Sequence, residues 1–181
     1  MRAALLGCCL FGVTSTSFAH RLDEYLQATR IAVATNRIVL AFELTPGVAV
    51  AGQVLKLIDQ DHDGRVSADE ESAYARRFLT DLNISLDGKV VALSVTAVSF
   101  PAVQEMRNGT GVIRIRTTSA VDSLSVGGHA LRLANGHLPA ISAYLVNSLQ
   151  SRDPAVEIGK QTRDELQKEY RLEFRVRAVS P

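Results

Sequence analysis

Tryptophan is absent, aromatic residues make up 6% of the chain, and the only two cysteines are the neighbours Cys8 and Cys9. So little cysteine excludes a disulfide-built scaffold. Charge of one sign is also lacking: 20 Lys and Arg stand against 19 Asp and Glu, a net charge of +1. That balance leaves no electrostatic footprint for nucleic acid or an anionic membrane surface. No repeat of about 20–50 residues and no low-complexity tract is present. The sequence has no G-x-S-x-G elbow, H-E-x-x-H helix, P-loop or Rossmann glycine pattern. The expectation is therefore a protein that is not an enzyme, since a catalytic group without a motif leaves no residue to name.

Long apolar runs are missing too, but a short one opens the chain. Arg2 is followed by an apolar stretch over residues 3–13 and by Ser17-Phe18-Ala19, an A-x-A-like cleavage site. This pattern predicts a signal peptide over residues 1–19, a mature chain from His20, and export to the periplasm or beyond. The stretch falls short of the ~20 residues that span a bilayer. Leu5-Leu6-Gly7-Cys8 faintly resembles a lipoprotein processing site, but cleavage there would leave almost no hydrophobic region before the cysteine. Removal of residues 1–19 would take both cysteines with it.

The remaining residues 20–181 suit one domain with a real hydrophobic core. Period-two alternation predicts strands over residues 25–33 and 37–44, turning at Thr35-Asn36. The period then changes. Thr45 can cap, Pro46 fits a first helical position, and Val50, Val54, Leu57 and Ile58 recur at helical spacing. A second helix is predicted from Ala68 to about Leu82, burying Ala73, Phe78, Leu79 and Leu82. Strand signals return at residues 84–86, turning at Asp87-Gly88 into a long strand over 90–100. More follow at residues 111–118, 129–133, 141–149, 156–161 and 170–179, of which 141–149 could instead be a short helix. The fold class expected is α+β, mainly β, an antiparallel sandwich with a helix-loop-helix inserted at about residues 46–82. Strand pairing order cannot be read from the pattern.

Between the two helices lies DQDHDGRVSADE, which meets D-x-[DN]-x-[DN]-G-x₅-E, the EF-hand calcium loop, at every specified position. Ca²⁺ is a hard cation that takes six to eight oxygens at ~2.3–2.6 Å. Asp59, Asp61 and Asp63 offer carboxylates from alternate residues of a tight turn, and Gly64 allows the bend. Arg65 would ligate through its backbone carbonyl, Ser67 directly or through water, and Glu70 with both carboxylate oxygens. Val66 would turn inward, and His62 would sit on the outer edge. Ser67-Ala68-Asp69-Glu70 also reads as a capping box, but capping does not explain the three earlier acids. No second loop is present, so the site is expected to be solitary and structural, not a paired sensor.

His20, as a mature N-terminus, could chelate Cu²⁺ or Ni²⁺ with its α-amino group, whereas His129 and His137 are expected to be surface or turn histidines. Asn83-Ile84-Ser85 and Asn108-Gly109-Thr110 match glycosylation acceptors. Arg171, Arg175 and Arg177, with Lys168 nearby, form a basic strand face that is either solvated or docks an acidic partner.

AHRLDEYLQAT, LTPGVAV, DQDHDGRVSADE and PAISAYLVNSL together resemble a family of exported bacterial EF-hand proteins of uncharacterised role, over most of residues 19–177. Similar segments look like the extracytoplasmic parts of nickel/cobalt permease-type proteins. The resemblance implies bacterial export and calcium binding. It also suggests an accessory that captures or delivers Ni, Co or Cu to a permease, which is expected to be a separate protein because no transmembrane helix follows the strands.

Overall fold

The computed structural model describes residues 23–178. The expected signal peptide, Cys8, Cys9 and His20 lie outside these residues. Ten strands and three helices follow in chain order among the described residues: β1 (Tyr25–Ala34), β2 (Arg37–Pro46), α1 (Val48–Ile58), α2 (Ala68–Thr80), β3 (Leu82–Leu86), β4 (Lys89–Val90), β5 (Ser94–Ser99), α3 (Val103–Arg107), β6 (Ile113–Ala120), β7 (Gly127–Asn135), β8 (Ser142–Ser148), β9 (Val156–Arg163) and β10 (Glu169–Val176). They form two five-stranded sheets, ordered β5-β6-β2-β1-β8 and β4-β3-β7-β10-β9. Pairing is antiparallel throughout except between β1 and β8, which run parallel. The mainly β, sandwich-like architecture with an inserted helical hairpin is therefore present.

The core follows from alternation. In β2, Ile38, Leu40, Phe42 and Leu44 point inward. In β10, Tyr170, Leu172, Phe174 and Val176 do so, and both sets join a single apolar cluster. One inward face of each sheet meets the other, as side chains of period two require. The helical hairpin is the crossover between sheets: β2 belongs to the first, β3 to the second, and α1 and α2 lie between them in sequence.

Several local expectations need correction. Pro46 ends β2 instead of starting a helix, and α1 is entered through Gly47 without a side-chain cap. The second helix stops at Thr80, and Leu82 opens β3; α2 buries Tyr74, Ala75 and Phe78, while Ala73 is only half-buried. The long strand over residues 90–100 is two strands. β4 closes the Asp87-Gly88 hairpin, in which both turn residues have positive φ as a type I′ turn demands. After residues 91–93 the chain joins the other sheet, where β5 pairs with β6. Alternation runs on through this crossover without a Gly or Pro to mark it. Residues 142–148 form a strand, not a helix, with Tyr144 and Val146 buried and Leu145 exposed. The last strand ends at Val176, and the short α3 was not anticipated.

Gly111 shows how closely α3 and its flanking turn are packed. A Cβ there would stand 2.7 Å from the Met106 nitrogen and 2.8 Å from Pro101 Cγ. Gly111→Ala is expected to destabilise the fold by about 1–3 kcal/mol through forced backbone movement, measurable by urea unfolding.

Candidate metal centre

The acidic loop joins α1 to α2, and both helices are anchored through apolar faces. Val50, Val54 and Ile58 of α1 and Tyr74 and Phe78 of α2 are buried in the common core. Asp59 terminates α1, its N–H bonded to the Leu55 carbonyl at 2.9 Å. Gly64 has φ +81°, the left-handed conformation that makes glycine the fitting residue at the bend, and His62 has φ +62° and is exposed.

The loop is built around its carboxylates. Asp59 Oδ2 accepts the Gly64 N–H at 3.1 Å, Asp61 Oδ1 that of Asp63 at 3.1 Å, and Asp63 Oδ1 that of Arg65 at 2.7 Å. These bonds curl the backbone so that one oxygen from each of Asp59, Asp61 and Asp63 lies within 4.8 Å of the others. Glu70 reaches back from the first turn of α2. Its Oε1 accepts the Gln60 N–H at 2.7 Å, and its Oε2 accepts both the N–H and the hydroxyl of Ser67 at 2.9 Å. The Ser67 hydroxyl in turn receives the Glu70 N–H, completing the capping box. The Ser67 backbone N–H, its hydroxyl and the Gln60 N–H hold the Glu70 carboxyl below the usual range. Arg65 is exposed, and Val66 packs against the core as expected.

One atom tests whether the loop suits a cation. Asp59 is 8% exposed, and its Oδ1 is the one buried side-chain oxygen without a hydrogen-bond partner among the described residues. A buried carboxylate oxygen left unpaired carries a large desolvation penalty. A hard cation held by that oxygen together with the neighbouring Asp61 and Asp63 carboxylates would remove it, so the residues present fit Ca²⁺.

The histidines differ from expectation. His137 is fully buried: Nδ1 meets Asp81 Oδ2 at 2.7 Å, and Nε2 meets the Tyr74 hydroxyl at 3.0 Å. Tyr74 continues to the Tyr25 hydroxyl at 2.7 Å, so a polar chain runs from Asp81 at the end of α2 to the first strand. Gln27 and Tyr144 bond the His137 carbonyl, and Asn135 bonds both Gln27 and the His137 N–H. No spacing in the sequence announced this network, because its members come from β1, α2, β7, β8 and the segment between the last two. The only hint was polar residues, Gln27 and Asn135, on otherwise apolar strand faces. His129 is also committed, with Nδ1 to Asp87 at 2.7 Å, Nε2 to the Ser125 carbonyl at 2.8 Å and its ring stacked on Phe174. Neither histidine has a free ring nitrogen for a transition metal.

No helix among the described residues is long and apolar enough to cross a membrane. Comparison with protein-family models, curated proteins and solved structures finds no match to this chain.

Proposed function

We propose that this is an exported calcium-binding module in which one EF-hand loop holds Ca²⁺ structurally and thereby steadies a surface for a protein partner. The observation that carries the reading is the convergence of the Asp59, Asp61 and Asp63 carboxylates, one of which, Asp59, has a buried oxygen without a hydrogen-bond partner. Asp59, Asp61, Asp63, Ser67 and Glu70, with the Arg65 carbonyl, are the proposed ligands. An extracellular module of this type binds at about 10⁻⁴–10⁻³ M. Metal would bridge the end of α1 to the start of α2, and those helices sit between the two sheets in the chain. Delivery of Ni, Co or Cu to a separate permease would rest on His20, since His129 and His137 are both engaged within the fold.

The test is a calcium titration of metal-free protein by calorimetry and thermal melting, beside Glu70→Gln. Glutamine is allowed in a capping box and removes the carboxylate. At free calcium about 100 times Kd, wild type should gain about 2.7 kcal/mol, or about 5–10 °C in Tm. The variant loses one of the two accepting oxygens, that for the Gln60 N–H or that for Ser67, so it should melt below metal-free wild type and its Tm should not rise with calcium. Absence of a response from wild type up to about 100 mM calcium, roughly 100 times the weakest Kd expected, would overturn the reading.

A further inference from the structure

The outer face of the second sheet carries an arrangement that folding alone does not favour. Arg132 on β7 and Arg171 on β10 stand directly opposite each other in register. Side chains so placed have Cβ atoms about 4.5–5.5 Å apart, and like charges there weaken the strand pair. The same row continues on both sides, with Ser85 of β3 opposite Arg132 and Thr162 of β9 opposite Arg171. Across four strands it reads hydroxyl, guanidinium, guanidinium, hydroxyl. All four residues line one open depression of about 460 Å³.

Nearby carboxylates offset the charge of the pair only in part. Glu173 Oε1 lies 3.2 Å from Arg171 Nε and pairs with that guanidinium, whose terminal nitrogens make no hydrogen bond among the described residues. Arg132 forms no ion pair among the described residues. Asp164 and Glu169 line the same depression, where Asp164 Oδ1 is held by the Glu169 N–H at 2.6 Å. Elsewhere on the sheet, Arg175 stands opposite Glu157 in register, with the Glu157 carboxylate ion-paired to Arg177, and no other two basic residues face each other directly among the described residues. Arg163 is committed to the Val146 carbonyl and Asn147, and it lies over the Tyr170 ring.

We propose that Ser85, Arg132, Arg171 and Thr162 form a binding site for a dianionic oxyanion of the phosphate class. With Glu173 already at Arg171 Nε, the unpaired Arg132 and the terminal nitrogens of Arg171 still present more N–H donors than one carboxylate accepts, and a tetrahedral dianion has oxygens enough for both. Their planar forks match tetrahedral oxygens, and the flanking hydroxyls donate to the remaining ones. The phosphate is either free or the monoester headgroup of a lipid.

The test follows the backbone and arginine Nε resonances of calcium-free protein during titration with inorganic phosphate. A second arm uses phosphatidylcholine vesicles with and without phosphatidic acid. Saturable shifts centred on the four-residue row are expected, weakened about tenfold or more by Arg132→Gln or Arg171→Gln, as loss of a charged hydrogen-bond donor implies. Arg175→Gln should bind like wild type. In phosphate-free buffer Arg132→Gln should melt at or above the wild-type temperature, because it relieves the opposed charges, and this separates lost binding from lost folding. Capture by phosphatidic acid vesicles without a response to free phosphate assigns the site to the lipid. Equal binding by wild type and Arg132→Gln, or no binding in either arm, overturns the proposal.

Discussion

Phe78→Ala is expected to lower the unfolding free energy by about 3–5 kcal/mol, the range for truncating a fully buried aromatic ring. Phe78 has no exposed surface. Its ring packs edge-on against Phe42 of β2, centroids 4.9 Å apart, and against His137 at 5.0 Å. One side chain thus joins α2 to the first sheet and to the segment leading into β8. Alanine would leave a cavity bordered by residues fixed on rigid strands, which can close only in part. Urea unfolding with an unchanged m value is the measurement. Phe78→Leu, which keeps most of the volume, should lose markedly less. A loss below about 1 kcal/mol for the alanine variant would mean that α2 is anchored elsewhere.

His137→Gln is the second large effect, and it changes the pH dependence as well as the stability. Burial pushes the His137 pKa below its ordinary value, against the pull of the Asp81 carboxylate. The neutral ring then donates from Nδ1 to Asp81 and accepts at Nε2 from the Tyr74 hydroxyl, an assignment that follows from Asp81 acting only as an acceptor. Below pH about 6.5 the unfolded chain takes up a proton that the folded chain still refuses. The stabilisation is therefore complete above pH about 6.5 and is lost as pH falls from there through the lower folded pKa. His129 works in the opposite sense. Burial lowers its pKa, but the Asp87 hydrogen bond, the Ser125 carbonyl and the Asp87 charge together raise it overall. Its contribution is present below pH about 6.5 and lost as pH rises through the folded value.

Glutamine at position 137 cannot reach both Asp81 and Tyr74 as the ring does, and it gives up three edge-on aromatic contacts. A loss of about 2–4 kcal/mol at pH 7.5 is expected, with a shallower fall in Tm between pH 7 and pH 5 than in wild type. An equally steep acid limb in the variant would remove His137 as its source. With no tryptophan in the chain, tyrosine emission reports the transition, and Tyr25, Tyr74 and Tyr144 all bond within this network.

Local chemistry carried most of what could be read without coordinates. Alternation in residues 25–33 and 37–44 announced β1 and β2, because a half-buried strand must repeat every two residues. The acidic loop was legible as a unit because its alternating acids, its glycine bend and its capping box all lie within consecutive residues 59–70. The split of residues 90–100 between two sheets was not legible, since a strand's period is the same whichever sheet receives it. Pro46 was misplaced for a related reason: it suits the end of an edge-free ladder as well as the first turn of a helix.

His137 was read as a surface or turn residue because nothing next to it in the chain signals burial. Its partners, Tyr74 and Asp81, lie more than fifty residues away. The row formed by Ser85, Arg132, Arg171 and Thr162 has the same character, for in the chain Arg171 stands only beside the other basic residues of its own strand. The sequence by itself determined a β-rich domain with two helices around one acidic loop, because periodicity, turn chemistry and ligand spacing act over a few residues. Only the tertiary structure decided which strands became neighbours, which histidine was enclosed and which two arginines came face to face, because register and burial arise from contacts between distant segments.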